Sequence, residues 1–168
     1  EYQNDLSIIH KLIIISDISK DIRRQEELSY LAYYDTMTGL YNRNYFIQCL
    51  NDFMHLAKDN NDLVSVLFID IDDFRKINDS MGMLVGDELV QQFGSMLKQF
   101  TSHPNIIAGH FNSDIFCMAV YNPSGEYTSD NIAKQINDRL MRPFRLSNGV
   151  DLSITVCIGI SEYPEAAE

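Results

Sequence analysis

Two carboxylates stand where a chain would need them to hold a hard cation. The first is Asp70, in Phe68-Ile69-Asp70-Ile71-Asp72-Asp73, at the end of an apolar run. The second is Asp114, in Phe111-Asn112-Ser113-Asp114-Ile115-Phe116, between two further apolar runs. A buried strand delivers its last residue to the edge of the sheet, where α/β sheets commonly place ligands. If the second pair of runs forms a hairpin beside the first strand, Asp70 and Asp114 can share one Mg²⁺ (or Mn²⁺), since such cations favour oxygen ligands. A metal held this way can activate a hydroxyl and neutralise a phosphate. The same residues also have a plain structural reading, in which Asp72 or Asp73 caps the following turn and Asp114 is a hairpin residue.

Between the two carboxylates lies Phe74-Arg75-Lys76-Ile77-Asn78-Asp79-Ser80-Met81-Gly82, leading to Gly86-Asp87. Asn78 offers a donor and an acceptor, whereas Asp87 is an acceptor only. Such a pair suits a base edge like that of guanine. Arg75 and Lys76 are the positive charges of this acidic neighbourhood and can meet phosphate. The structural alternatives are a cap for Asn78 and a first-turn helix position for Asp87, where the helix dipole favours a negative charge.

The elements that must position these residues follow from periodicity. Lys11–Ser16 is a β-branched run and predicts a strand, with a helix from Asp17 or Ser19 to about Tyr34. From Asp35 the character changes, and TMTGLYNR is a loop in which Asn42 can cap a helix from Arg43 to about Lys58. Leu63–Ile69 is nearly all apolar, which suits a strand buried on both faces. A helix is expected from about Gly86 to Phe100, strands over Ile106–Phe111 and Ile115–Tyr121, a helix over Ser129–Met141 and a final strand over Asp151–Ile160. Asn112-Ser113-Asp114 then connects a hairpin. The order predicts an α/β (α+β) domain with a mixed central sheet flanked by helices.

The chain has 168 residues, enough for one domain with a core and an appendage. Its formal net charge of −11 argues against a nucleic-acid partner, which needs a basic face. A small phosphorylated ligand remains compatible with that charge, because a divalent cation can mediate between the two. No run is apolar enough to span a bilayer. Cys49, Cys117 and Cys157 lack zinc-site spacing and read as reduced core residues of an intracellular protein.

Taken in order, DTMTGLYNRNYF (35–46), FIDIDDFRKINDSMGMLVGDELV (68–90), FNSDIF (111–116) and ITVCIGIS (154–161) resemble the GGDEF family of diguanylate cyclase domains over roughly residues 35 to 168. The preceding segment resembles the end of a PAS sensor domain (1–18) and a helical linker (19–34). The resemblance implies a nucleotidyl-cyclase-like fold lacking its C-terminal part, in a cytoplasmic domain. It implies condensation of two GTP into cyclic di-GMP by a symmetric homodimer, with metal ions bridging carboxylates and phosphates. Asp70, the carbonyl of Ile71 and Asp114 match the metal positions. Asn78 and Asp87 match the guanine readers, and Arg75 stands at the place of the phosphate-side lysine.

The departures are concentrated in the signature turn, which reads Asn112-Ser113-Asp114-Ile115-Phe116 in place of Gly-Gly-Asp/Glu-Glu-Phe. Asp114 keeps the third-position carboxylate. Both glycines are replaced, and glycine is the residue that adopts positive φ and admits a ligand closely. Ile115 replaces the second acidic group. His110 stands where a basic residue usually precedes the turn, Met83 replaces a histidine, and His103-Pro104-Asn105-Ile106 lacks the Arg-x-x-Asp of the family's inhibitory site. Three readings follow: a nucleotide-binding regulatory module impaired in condensation, beside a sensor domain and a phosphodiesterase domain; an active cyclase; or a ligand-free dimerisation scaffold. The altered turn beside a retained base pair favours the first.

Overall fold

The computed structural model describes residues 24, 28–123 and 128–164. The chain divides into two units, residues 1–33 and 34–168. In the first, residues 24 and 28–33 are helical; the strand expected at 11–16 and the PAS-like segment lie outside the described residues.

The second unit opens with a tight turn. The Asp35 carboxylate accepts from the Thr38 backbone N–H at 2.9 Å and from its hydroxyl at 2.8 Å, and the Gly39 N–H bonds the Asp35 carbonyl at 2.8 Å. Gly39 has φ 67°, a backbone that glycine adopts without strain. After β1 (Tyr41–Asn42), helix α1 (Arg43–Asn60) is capped by Asn42, whose side chain accepts from the Tyr45 N–H at 3.0 Å. It ends on Asn61 in the left-handed region. Strand β2 (Leu63–Ile71) follows, then α2 (Phe74–Met81) and α3 (Met83–Lys98), then the hairpin β3 (Ile106–Asn112) and β4 (Ile115–Asn122). Helix α4 (Ser129–Leu140), short strands β5 (Phe144–Arg145) and β6 (Asp151–Leu152), and β7 (Val156–Tyr163) complete the unit.

The mixed sheet predicted from sequence is present, in the order β1-β3-β4-β2-β7. Strand β1 runs parallel to β3, and the other pairings are antiparallel. One face is closed by a core that includes Leu67, Ile69 and Ile71 of β2, Phe116 and Met118 of β4, Leu89 and Phe93 of α3, and Ile132 and Ile136 of α4. Phe93 and Phe116 meet edge to face with centroids 4.8 Å apart. The opposite face carries a smaller core of Phe46, Ile107, Cys117 and Ala119 under α1.

Several boundaries differ from expectation. The helix expected from Gly86 begins at Met83. Residues 74–81, a run with no helix predicted above, form one; its buried Phe74 and half-buried Ile77 have the i, i+3 spacing of one helix face. The final strand expected at 151–160 is split, since Asp151–Leu152 pairs with Phe144–Arg145 while Val156–Tyr163 pairs with β2. Alternation reports extended backbone and not which partner it bonds. Of the three cysteines expected in the core, Cys117 is buried and Cys49 half-buried, but Cys157 is exposed. No helix among the described residues is long and apolar enough to cross a membrane.

Candidate functional site

Strand β2 buries alternate residues, Leu67, Ile69 and Ile71, in the main core, which turns Phe68 and Asp70 to the other face. There Asp70 is exposed. The register places it opposite Ile115 of β4 on one side and Cys157 of β7 on the other. The Ile71 N–H donates to the Asp114 carbonyl at 3.1 Å, which ties the end of β2 to the hairpin turn. The hairpin therefore lies beside the first acidic strand, and Asp70, Ile71 and Asp114 share one sheet edge.

The Asp70 carboxyl titrates above its ordinary value, first because of partial burial and then because of the charges of Asp114 and Asp72. Crowded carboxylates with a hard-oxygen donor set are what a divalent cation relieves, so these residues fit Mg²⁺ or Mn²⁺. Among the described residues no three acidic, histidine or cysteine side chains group tightly enough to hold a metal alone. The remaining ligands would have to be the Ile71 carbonyl, water or phosphate oxygens. Asp72 is engaged elsewhere: its carboxylate accepts from the Thr155 hydroxyl at 2.6 Å, and its N–H donates to the Thr155 carbonyl at 3.0 Å. Hydrogen bonds from Thr155 and then Cys157 hold Asp72 below its ordinary value.

The signature turn is less strained than its residues suggested. Ser113 and Asp114 form a two-residue connection, and among the described residues only Asn61 and Asp73 are non-glycines at positive φ. Two-residue hairpins usually need mirror-image turns with positive φ. Here the register shifts between His110 and Asn112, and such a bulge adds twist on its own. The expected cost of seating Asn112 and Ser113 in glycine conformations is therefore not incurred; what remains is their side chains. The Asn112 carboxamide oxygen accepts from the Ser113 N–H at 3.1 Å, and the Ser113 hydroxyl donates to Asp114 Oδ1 at 2.8 Å. One of the two oxygens that Asp114 could offer a metal thus already has a donor. Phe116 is fully buried in the main core, and Ile115 is half-buried where a second carboxylate would stand.

A histidine braces the turn, a contact that sequence reasoning did not find. His110 Nδ1 lies 3.0 Å from Asp35 Oδ1, and its Nε2 is 3.4 Å from the Ser113 carbonyl. Although burial raises the Asp35 carboxyl, hydrogen bonds from Thr38 and the His110 charge more than offset it, so its net shift is downward. The sequence signal was Asp35-x-x-Thr38, a spacing that favours an Asx turn.

The base-reading candidates lie on the corner between α2 and α3. Gly82, at φ 90°, separates the two helices. Asn78 is half-buried, and its Oδ1 is buried without a hydrogen-bond partner. Asp87 is exposed one turn into α3. At the start of α2 no side chain caps the first turn, although the Lys76 N–H bonds the Asp73 carbonyl at 2.8 Å; a helix start without a side-chain cap suits an anion. Arg75 is exposed and lies 3.9 Å from Asp79, and Lys76 pairs with Asp73 at 2.7 Å. Exposed pairs of this kind hold their charges only weakly.

This arrangement of sheet, acidic edge and helix corner has known counterparts. The family profile "Diguanylate cyclase, GGDEF domain" matches residues 32–168, and the chain belongs to the GGDEF family. It is 34% identical over 150 residues to the cyclic di-GMP phosphodiesterase PdeR of Escherichia coli, covering 89% of this chain and 22% of that protein. It is 30% identical over 149 residues to the diguanylate cyclase TpbB of Pseudomonas aeruginosa, covering 87% of this chain and 34% of that protein. The chain therefore spans about a fifth to a third of the curated relatives it matches. A solved GGDEF domain of TpbB superposes with a TM-score of 0.68 at 30% identity, covering 79% of this chain and 77% of that one. The coiled coil and GGDEF domain of DgcB from Caulobacter crescentus, solved with c-di-GMP, gives 0.74 at 23% identity over 91% of this chain and 80% of that one, a likeness of fold.

Proposed function

We propose that this domain is a degenerate GGDEF module of a cyclic di-GMP signalling protein that binds GTP or a related nucleotide and regulates a neighbouring domain, with GTP condensation impaired. The observation that carries the reading is the contrast at one sheet edge: Asp70, Ile71 and Asp114 come together, while the positions flanking Asp114 are Ser113 and Ile115. Asn78 and Asp87 read the base. The first turn of α2, with Arg75, meets phosphate. Asp70, Asp114 and the Ile71 carbonyl would hold Mg²⁺ or Mn²⁺, whose chemistry when bound is to neutralise phosphate charge and lower the pKa of a coordinated hydroxyl. Contacts that bind ground state and transition state alike survive such changes to a turn better than contacts made only in the transition state.

The relative named a phosphodiesterase supports a regulatory role in cyclic di-GMP signalling, whereas the relative named a cyclase fits the alternative of an active enzyme. The domain is then a cytoplasmic part of a homodimer in which residues 1–18 end a PAS-like sensor, 19–34 link it, and a phosphodiesterase domain is the regulated neighbour. The test is a pair of measurements on the full-length protein. Calorimetric titration with GTP and Mg²⁺ is expected to saturate, and incubation with GTP is expected to yield no cyclic di-GMP. Clear turnover would replace this reading with an active cyclase. No binding, with Asn78→Ala leaving the parent protein's activity unchanged, would leave a scaffold.

A further inference from the structure

We propose that Gly86 is a positioning residue for nucleotide recognition: its missing side chain is what lets the Asn78 carboxamide lie against α3 with Oδ1 inward and Nδ2 outward. The inference rests on reading Asn78 as a base contact. A Cβ at residue 86 would stand 1.9 Å from Asn78 Oδ1, 2.9 Å from its Cγ and 3.3 Å from Phe74 Cζ. The first two distances are well inside van der Waals contact, so any side chain there displaces the carboxamide. Nothing else pins it, because Oδ1 has no hydrogen-bond partner. The group is held by its fit against the Gly86 backbone.

This glycine differs from the other close-packed ones. A Cβ on Gly94 would meet Thr38 Cβ at 2.7 Å, and one on Gly109 would meet Phe46 Cδ2 at 2.9 Å, both in the packed interior. The group displaced by a Cβ at 86 is the free end of a half-buried side chain, which can swing into water and regain the hydrogen bonds it lacks. Glycine is also among the poorest helix formers, and Gly86 lies within α3. Alanine there thus asks the fold only for a small shift of the Phe74 ring, set against its better helix propensity, and removes the donor from the ligand's path. Recognition is lost while stability is largely kept, unlike at Gly94 and Gly109, where a Cβ meets side chains of the packed interior.

The experiment compares wild type, Gly86→Ala, Asn78→Ala, the double variant and Gly94→Ala. For Gly86→Ala the expected results are an unchanged or raised Tm and shifted Asn78 side-chain amide resonances, assigned by their loss in Asn78→Ala. The Kd for GTP with Mg²⁺ is expected to be about tenfold weaker, the worth of one hydrogen bond. The double variant should be no weaker than Asn78→Ala alone. Gly94→Ala should melt lower. Unmoved Asn78 resonances, an additive loss in the double variant, or a fall in Tm like that of Gly94→Ala would overturn the proposal. If wild type shows no saturable GTP binding, the base-reading assignment fails by itself, while the resonances and the melt still decide whether Gly86 sets Asn78.

Discussion

The corner between α2 and α3 and the turn between β3 and β4 differ in the groups they offer a ligand. The corner retains an amide, a carboxylate and the glycine that seats the amide. The turn retains one carboxylate among residues that fold well. Its backbone reaches a hairpin through a bulge, its serine bonds its own aspartate, and Phe116 anchors it in the core. The comparison teaches that, on the reading proposed above, a turn can lack the groups that chemistry needs and still hold its conformation.

The largest expected effect tests that distinction at the turn. Asn112→Gly, Ser113→Gly and Ile115→Glu together restore the family's side chains and free Asp114 Oδ1. Cyclic di-GMP formation, read by chromatography, should rise by about 10²–10³-fold, the scale of a transition-state contact. A triple variant as silent as the wild type would place the lesion outside the turn. The next effect compares the acidic edge with the corner. Asp70→Asn should weaken Mg²⁺-dependent GTP binding by about tenfold to a hundredfold, on the scale of a lost charge-assisted contact, and should leave GTP over ATP preference intact. Loss of preference instead would mean that the corner does not read the base by itself.

The smallest effect concerns Cys157, beside Asp70. Its thiol donates to Asp72, and that bond, then the Asp72 charge, raises its pKa. The neutral form is favoured, so at a given pH less thiolate is present than in a free cysteine, and the labelling curve moves to higher pH. Iodoacetamide should therefore modify this exposed thiol a few-fold more slowly than free cysteine at pH 8, and Asp72→Asn should bring the rate back toward that of free cysteine. Cys117, pushed up to about 12 by burial, should not react in the folded protein.

Much of the site could be read from sequence because strands and turns announce themselves locally. Leu63–Ile69 ends in the acidic run, and Asn112-Ser113-Asp114 interrupts two apolar runs, so the hairpin and its carboxylate were legible. The α2 helix was not, since eight residues with an Asp73 N-cap in the left-handed region give little periodicity to read. Nor was the contact between His110 and Asp35, which depends on β1 lying beside β3. The absence of strain in the turn was also hidden: residue types state which φ values are easy, but a one-residue bulge changed which ones were needed. The split of the final strand was hidden for a related reason, since hydrogen-bond partners are chosen in three dimensions.

Helix α1 is the cover seen among the described residues on one face of the five-stranded sheet. A helix is about 10 Å across, whereas five strands at about 4.8 Å spacing make a wider surface. Phe68 is accordingly 46% exposed, and a Cβ on Gly159 of the neighbouring strand would meet nothing within 4 Å. The strand that carries Asp70 therefore has one wet flank, and its carboxylate, although slightly desolvated, stays largely in contact with water. In such a medium a pair of carboxylates attracts a divalent ion only weakly, and the phosphates must supply the rest of the charge. Cation and nucleotide then become linked ligands, each raising the affinity of the other by the same factor.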